Sequence, residues 1–177
     1  VIVFSVKVFF LKLRTMFVYR NNVLAFVFRG KDEIFILHKR AYREDQNKKG
    51  HWALPQGGVD PGEPLQHAAL RELKEETGMI DATVVAKSNV KNRYRWVPYH
   101  RNIYSNRYAG QKQNTFFIQY TGPEEDIRLN YIGDENFDTY AWVTQEQLLR
   151  RLQPGRRSYA KKLLVEFNRK TVYNKKV

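Results

Sequence analysis

The sequence of 177 residues contains no cysteine. This absence excludes disulfide bridges, thiolate metal sites and cysteine nucleophiles, so any bound metal ion must be held by oxygen or imidazole ligands. It is also compatible with a reducing compartment, and we expect a cytoplasmic protein. Long apolar runs are missing as well, because no stretch approaches the roughly 18 residues that are needed to span a bilayer. The sequence therefore predicts no membrane partner, and it indicates no obligatory protein partner.

Acidic residues are scarce relative to basic ones. The chain has 18 Asp and Glu residues against 31 Lys and Arg residues, which gives a formal net charge of +13. A surface of this charge concentrates phosphates and accelerates their encounter with the protein. Charge alone does not distinguish RNA, a mononucleotide and a membrane face as the anionic partner. The positive charge is equally compatible with general solubility and nonspecific binding of nucleic acid.

The chain length and an apolar content of 42% predict one domain with a sizeable core. We assign this domain to residues 17–172 and treat residues 1–16, which are rich in Val and Phe, as an N-terminal extension. An export signal is the least favoured explanation of the extension, because the usual order of charged, apolar and small residues is missing. An extra edge strand is a second explanation. We favour a third, in which Met16 is the true start, since an exposed Val/Phe strand would promote aggregation.

Hydrophobic periodicity and turn residues predict an α/β layer structure. After a Gly- and Pro-rich stretch, apolar residues at helical spacing predict a helix over Pro64–Thr77 that ends at Gly78. Thr144 and Gln147 form a capping box that opens a second helix, which Pro154 ends. The order of elements implies a mixed β-sheet with helices on its faces. The remaining predicted elements are strands at Val23–Phe28, Ile34–Leu37, Trp52–Leu54, Thr83–Lys87, Thr115–Tyr120 and Thr139–Val143, and a helix at Ser158–Lys170.

Three carboxylates lie on one face of the predicted Pro64–Thr77 helix. Glu72, Glu75 and Glu76 stand at positions i, i+3 and i+4, where like charges repel each other. Such a group either faces water or surrounds a cation that offsets the repulsion, and taken alone the solvated face is the commoner explanation. Because all ligands would be oxygen atoms, the cation would be Mg²⁺ or Mn²⁺ rather than Zn²⁺.

The surrounding residues favour the cation. The chain reads Gly57, five residues, Glu63, seven residues, Arg71-Glu72-Leu73, one residue, Glu75-Glu76, one residue, Gly78 and Met79. This pattern matches the Nudix signature at every position, and the chain resembles the Nudix hydrolase family. The resemblance implies a Nudix fold, which is a mixed β-sheet sandwiched between helices. It also implies a magnesium-dependent enzyme that cleaves a pyrophosphate bond in a nucleoside polyphosphate.

The resemblance assigns roles to the signature carboxylates. Glu75 and Glu76 are expected to be the main metal ligands, and Glu72 a further ligand or the base that orients the attacking water. Gly57 is expected to bring a backbone carbonyl toward the metal ion, because a side chain there would obstruct the approach.

Two further signature residues are expected to support the site. Glu63 and Arg71 flank the start of the helix, and Arg71 can pair with Glu75 one helical turn away. The pair would hold that carboxylate in place.

Residues outside the signature resemble two related groups within the family, the RNA pyrophosphohydrolases and the asymmetric diadenosine tetraphosphate hydrolases. The similar stretches are Trp52–Gly58, Gly110–Gln113 and Tyr19–Asn22, the last of which precedes the first predicted strand. This similarity predicts residues that contact the polyphosphate, but for two of them, Arg20 and Lys39, a role as a solvated base on the surface is an equally good explanation. The resemblance implies polyphosphate contacts from Arg20, Lys39, Arg40, Gln111 and Lys112.

One downstream loop departs from the pattern of these groups. There the loop supplies a further Glu in a Glu-Phe-Asp context, as a metal ligand or base. Here the run Asp134–Asp138 places Asn136 at that position, and Glu135 can substitute only after a shift of one residue. We therefore include Glu135 among the predicted catalytic residues while leaving open which residue takes the fourth acidic position.

Basic and aromatic residues alternate between Lys91 and Tyr108. Such mixing suits a surface on which bases stack against rings and phosphates meet cations. A hairpin with aromatic cross-strand pairs is the alternative. The stretch contains Lys91, Arg93, Arg95, Arg101 and Arg107, with Tyr94, Trp96, Tyr99, Tyr104 and Tyr108.

Together these features predict hydrolysis within the 5′-triphosphate of RNA or within a diadenosine polyphosphate, which require the same kind of site. Hydrolysis of a nucleotide sugar or of a nucleoside triphosphate is the second possibility. A catalytically silent RNA-binding module is the third, but it would be expected to lack signature carboxylates and none is lost here.

Overall fold

The computed structural model describes residues 18–40, 50–96, 107–130, 132 and 137–173, with side chains up to residue 170. The predicted N-terminal extension, residues 1–16, lies outside this range. So do Glu135 and Asn136, the two candidates for the fourth acidic position, together with Tyr99, Arg101 and Tyr104.

Within the described ranges eight strands form one mixed sheet, with the order β3-β2-β1-β7-β5. Off this path, β4 pairs with β1, β6 with β7 and β8 with β2. The pairing of β1 with β7 is parallel and the other pairings are antiparallel. The strands are β1 (Tyr19–Arg29), β2 (Glu33–Lys39), β3 (His51–Ala53), β4 (Gln56–Gly58), β5 (Ala82–Lys87), β6 (Asn92–Arg95), β7 (Gly110–Tyr120) and β8 (Phe137–Val143).

Among the residues that the structure describes, three helices accompany the sheet: α1 (Leu65–Thr77), α2 (Gln145–Arg151) and α3 (Pro154–Tyr173). A short 3-10 turn covers Glu124–Asp126. No helix in the described part of the chain is both long enough and apolar enough to cross a membrane.

The sheet is packed on both faces, and this confirms the predicted sandwich. We call its two sides the α1 face and the α3 face. Side chains alternate between the faces along each strand, so neighbouring residues enter different cores. The α1 face contains Val23, Ala25, Val27, Phe35, Leu37, Phe116 and Ile118, packed against Ala68, Ala69 and Leu73. The α3 face contains Leu24, Phe26, Phe28, Ile34, Ile36 and Phe117, packed against Leu148, Leu163 and Phe167.

Strand β1 begins four residues earlier than predicted. Tyr19–Asn22 belong to the strand because they pair in parallel with Gly110–Gln113 of β7. The sequence analysis missed these residues because they are polar, and the continuous apolar run that indicates a buried strand starts only at Val23. The consequence is that two of the stretches that resemble the same hydrolases lie side by side in the sheet.

The helix ends follow local signals with one exception. Gly78 ends α1 at φ 73° and donates its N–H to the carbonyl of Lys74 at 2.8 Å, as predicted. The capping box of Thr144 and Gln147 opens α2 with both of its hydrogen bonds. Pro154, however, does more than end α2, because it is the first residue of α3. A proline fits the first helical position, where its missing N–H is not needed.

Strand β6 is the main element that the sequence analysis did not assign. It pairs with the first residues of β7, with Tyr94 opposite Gln111 and Arg95 opposite Gly110. The alternative explanation of the basic and aromatic stretch, a strand pair, therefore applies to its first part. Trp96 is buried and offers no ring to a ligand, while Arg93 packs over the ring of Tyr19 at 4.9 Å.

Candidate functional site

The three signature carboxylates lie where α1 meets strand β4. The backbone N–H of Gln56 donates a hydrogen bond to Glu76 Oε2 at 3.0 Å. β4 itself pairs with β1, with Val23 opposite Gly57. The last turns of α1, which carry the carboxylates, are thus hydrogen-bonded through Glu76 to the backbone of the glycine-rich strand.

Gly57 leaves room for the side chain of Glu72. A Cβ at Gly57 would lie 1.7 Å from Glu72 Oε2, far closer than two heavy atoms without a bond can approach. The Glu72 carboxylate therefore rests on bare backbone. Sequence reasoning gave a different reason for this glycine, the approach of its carbonyl to a metal ion, and that role stays a prediction.

Arg71 connects the carboxylates to the glycine-rich strand. Its Nε and Nη2 donate to the two oxygens of Glu63 at 2.8 and 2.9 Å. Nη2 also donates to the carbonyl of Gly58 at 2.9 Å. Nη1 donates to Glu72 at 3.0 Å and to Glu75 at 3.2 Å, so the predicted contact with Glu75 is present.

These contacts change the acidity of the groups involved. Hydrogen bonds to Glu63 raise the pKa of the Arg71 guanidinium, although its partial burial acts against them. The same bonds lower the pKa of Glu63 to about 2. Burial raises the pKa of Glu72 above its usual value, against the opposing charge and hydrogen bond of Arg71. Arg71 and Glu63 therefore form an ion pair that stays charged at neutral pH, whereas Glu72 is a more basic carboxylate.

The carboxylates differ in their exposure and in their partners. Glu76 is only 4% exposed and faces β4, whereas the side chain of Glu75 is 32% exposed. Nη1 of Arg71 lies within hydrogen-bond distance of both Glu72 and Glu75, which offsets their repulsion. Among the residues that the structure describes, no three acidic or histidine side chains already converge as a metal site. Glu72, Glu75 and Glu76 nevertheless supply only carboxylate oxygens, which are the donors that a hard divalent cation prefers.

Arg20, a predicted substrate residue, lies against the glycine-rich strand of this site. A Cβ at Gly58 would lie 2.0 Å from Arg20 Nη2, so the guanidinium crosses the strand at that glycine. Its charge also acts on Glu72, where it opposes the rise in that pKa. Glycine at both positions of β4 therefore makes room for a carboxylate on one face and a guanidinium on the other.

The other predicted substrate residues are divided between the two faces of the sheet. Gln111 is buried and lies opposite Arg20 on the α3 face, whereas Lys112 is exposed on the α1 face. Lys39 ends β2 and places its Nζ 5.3 Å from the centre of the Phe137 ring. Arg40 Nε lies 3.4 Å from Asp138 Oδ2.

A series of hydrogen-bonded side-chain amides, which the sequence analysis missed, runs from the carboxylates to the α3 face. Gln113 donates to Gln56 Oε1 at 2.5 Å and to Asn22 Oδ1 at 3.2 Å. Asn92 donates to Gln113 Oε1 at 2.8 Å. Alternation in β7 would have placed Gln113 on the same face as Gln111, but its partners come from three distant segments. This series of hydrogen bonds ends at Glu76, because the backbone N–H of Gln56 donates to that carboxylate.

A cavity of about 300 Å³ opens beside this series of amides on the α3 face. Its polar and aromatic lining consists of Asn92, Tyr94, Gln113, Arg156 and Tyr159. Tyr159 is held in place by a hydrogen bond of 2.6 Å to Thr115. The cavity and the carboxylates are thus linked through Gln113 and Gln56.

The chain is similar to known proteins in sequence and in fold. The NUDIX domain model matches residues 18–163. An RNA pyrophosphohydrolase of Wolbachia pipientis is 35% identical over 156 residues, which cover 85% of this chain and 90% of the relative. Another from Erythrobacter litoralis is 36% identical over 130 residues, or 72% and 79% of the two chains. The crystal structure of a Caenorhabditis elegans Ap4A hydrolase binary complex aligns with a TM-score of 0.58 at 20% identity, over 83% of this chain and 98% of the other.

Proposed function

The chain belongs to the Nudix family of pyrophosphate-bond hydrolases, and from this premise we propose that its substrate is the 5′-triphosphate of RNA. In this reaction water adds to a phosphorus atom of the triphosphate and the anhydride bond between the α- and β-phosphates breaks. Pyrophosphate leaves, and the RNA keeps a 5′-monophosphate. The observation that carries the proposal is the Arg71-linked group of carboxylates bound to β4. Relatives at about a third identity that are named RNA pyrophosphohydrolases support RNA as the substrate.

The residues that would hold a divalent metal ion are Glu72, Glu75 and Glu76, together with the carbonyl of Gly57. When bound, Mg²⁺ or Mn²⁺ would offset charge on the pyrophosphate oxygens and lower the pKa of a water molecule. Arg71 keeps the carboxylates close together before an ion is bound. Its bonds to Glu63 and Gly58 do not involve Nη1, so the guanidinium stays anchored when Nη1 releases Glu72 and Glu75.

The protein's own groups supply the remaining functions. Glu72 is either a further ligand or the base that orients the attacking water, and its pKa, which burial raises, suits the second role. Arg20, Lys39, Arg40 and Lys112 are the cations that we propose as contacts of the phosphate chain. The basic charge of the whole protein favours a polyanionic substrate.

The cavity on the α3 face is the place we assign to the nucleoside end of the substrate. The rings of Tyr94 and Tyr159 suit stacking with a base, and the amides of Asn92 and Gln113 suit its polar edge. Gln113 and Gln56 connect this position to Glu76. The cytoplasmic location expected from the sequence is part of the same proposal.

The test is a comparison of three substrates. Purified protein with Mg²⁺ is offered triphosphorylated RNA, diadenosine tetraphosphate and ADP-ribose in parallel, and kcat/KM is measured for each. We expect RNA to have the highest value and to yield 5′-monophosphate ends. A preference for diadenosine tetraphosphate or ADP-ribose would assign the chain to another substrate. Turnover of none, with tight RNA binding, would indicate a binding module.

A further inference from the structure

The last turn of α1 is held by a neighbouring segment of backbone. The N–H groups of Arg128, Asn130 and Ile132 donate to the carbonyls of Thr77, Glu76 and Glu75, at 2.8, 2.9 and 2.9 Å. The last carbonyls of a helix have no partners within the helix, so these bonds satisfy groups that would otherwise face solvent. The backbone of both Glu75 and Glu76 is consequently tied to one segment, with Asn130 at its centre.

Asn130 has an unusual conformation. Its φ is 56°, and among the residues that the structure describes it is the one non-glycine residue with a positive φ. Asparagine tolerates this region better than most residues, because its short polar side chain can form local hydrogen bonds. A residue held there despite the steric cost is one whose surroundings require it.

The side chain of Asn130 binds the first residue of β8. Its Nδ2 donates to the carbonyl of Phe137 at 2.9 Å, and its Oδ1 accepts the N–H of Phe137 at 3.1 Å. We call this reciprocal pair of bonds the Asn130 clasp. It joins two points of the chain that are seven residues apart, and it uses the whole amide group of the side chain.

Phe137 lies at the basic end of β2. It pairs with Lys39 in the sheet, and the Lys39 Nζ lies over its ring. The next residue, Asp138, accepts a hydrogen bond of 2.6 Å from His38 Nδ1 and lies 3.4 Å from Arg40. Asn130 therefore connects the backbone of Glu76 on one side with the neighbourhood of Lys39 and Arg40 on the other.

We propose that Asn130 is a positioning residue, which sets the carboxylates of α1 relative to the cations at the end of β2. The inference rests on the proposed function, since it takes Glu75 and Glu76 as metal ligands and Lys39 and Arg40 as phosphate contacts. Asn130 itself touches neither group with its side chain. It acts by holding the two backbones at a set separation, and small displacements of reacting groups have large effects on rate.

The variant that isolates the clasp is Asn130→Gly. Glycine adopts a positive φ without steric cost, so the backbone conformation and its bond to Glu76 are kept while both side-chain bonds are lost. Loss of a residue that orients metal ligands reduces activity or metal affinity by ~10- to 100-fold. We expect kcat/KM for triphosphorylated RNA to fall within this range. We also expect weaker binding of Mn²⁺, measured by calorimetry without substrate.

The matched control is Asn168→Ala. Asn168 forms a similar reciprocal pair of amide bonds, with Gln145, on the exposed side of α3. Its loss removes the same kind of reciprocal amide pair on the other face of the sheet from α1. A lower melting temperature with unchanged kcat/KM and Mn²⁺ affinity is expected for this variant.

The outcomes are distinguishable. An Asn130→Gly protein that is folded at 25 °C and matches the wild type in kcat/KM and Mn²⁺ affinity, even with a lower melting temperature, overturns the inference. If Asn130→Gly does not fold, Asn130→Asp takes its place, because Asp keeps the acceptor for the Phe137 N–H and loses only the donor. An intermediate loss of kcat/KM supports the inference and wild-type values overturn it. A wild type that binds Mn²⁺ without hydrolysing RNA refutes the proposed substrate, and the Mn²⁺ comparison still decides the role of Asn130.

Discussion

Arg71 binds both carboxylate oxygens of Glu63, with distances of 2.8 and 2.9 Å from Nε and Nη2. This arrangement uses the planar geometry of the guanidinium, which matches a carboxylate along one edge. The remaining nitrogen, Nη1, is thereby directed at Glu72 and Glu75. One residue thus joins the loop before α1 to the carboxylates on it, and the consequences can be measured.

Replacing Arg71 by Lys keeps the charge and removes the planar guanidinium, whose three nitrogens donate to separate acceptors. Lysine cannot contact Glu63, Gly58 and Glu72 together, so hydrogen bonds to charged groups are lost, at a cost of about 2 kcal/mol in the free energy of unfolding. Activity should fall as well, because Glu72 and Glu75 lose the group that orients them. Urea denaturation and initial rates measure the two effects. Arg150→Lys, in the exposed pair with Glu146, is the control and should change stability by less than about 0.5 kcal/mol.

The pH dependence of stability should reflect Glu63. Its pKa is about 2 in the folded protein, below the usual value of 4.5. A depressed pKa contributes stability that is complete above the unfolded value and is lost as the pH falls toward the folded value. The free energy of unfolding should therefore decline between pH 4.5 and 2 in the wild type, and decline less in Glu63→Gln. Parallel curves for the two proteins in urea melts at several pH values would contradict this account.

Glu76→Gln should abolish turnover while leaving the fold intact. Glutamine keeps an oxygen that can accept the N–H of Gln56, so the contact between α1 and β4 survives. The charge that would attract a divalent ion is lost, and added Mg²⁺ should no longer raise the melting temperature as it does in the wild type. Glu146→Gln, at an exposed position of α2, is the matched control. Full activity of the Glu76 variant would rule out its assignment as a ligand.

Gly57→Ala should damage the site more than the fold. The new Cβ would overlap Glu72 Oε2, so that carboxylate must move away from β4. Gly30→Ala provides the comparison, because a Cβ there meets no atom within 4 Å and the residue has a φ of +57°. The Gly30 variant should lose about 1 kcal/mol of stability through its left-handed backbone and keep its activity. Equal kcat/KM for both variants and the wild type would mean that catalysis does not depend on the position of Glu72 against Gly57.

The local features of this protein were determined by the sequence itself. The face of α1 that carries Glu72, Glu75 and Glu76 follows from helical spacing. Its end at Gly78 and the capping box at Thr144 depend on interactions within a few residues. Such features can be read in a short window because their hydrogen bonds form between near neighbours.

Other features were decided only by the tertiary structure. The extension of β1 through Tyr19–Asn22 depends on pairing with β7, some ninety residues away, and that pairing overrides the polar character of the stretch. The bonds of Gln113 to Gln56 and Asn22, and the contact of Glu72 with Gly57, likewise join segments that only the sheet brings together. A periodic pattern specifies which way a side chain points along its own element. It does not specify the partner, because the partner is chosen by the packing of the whole sheet.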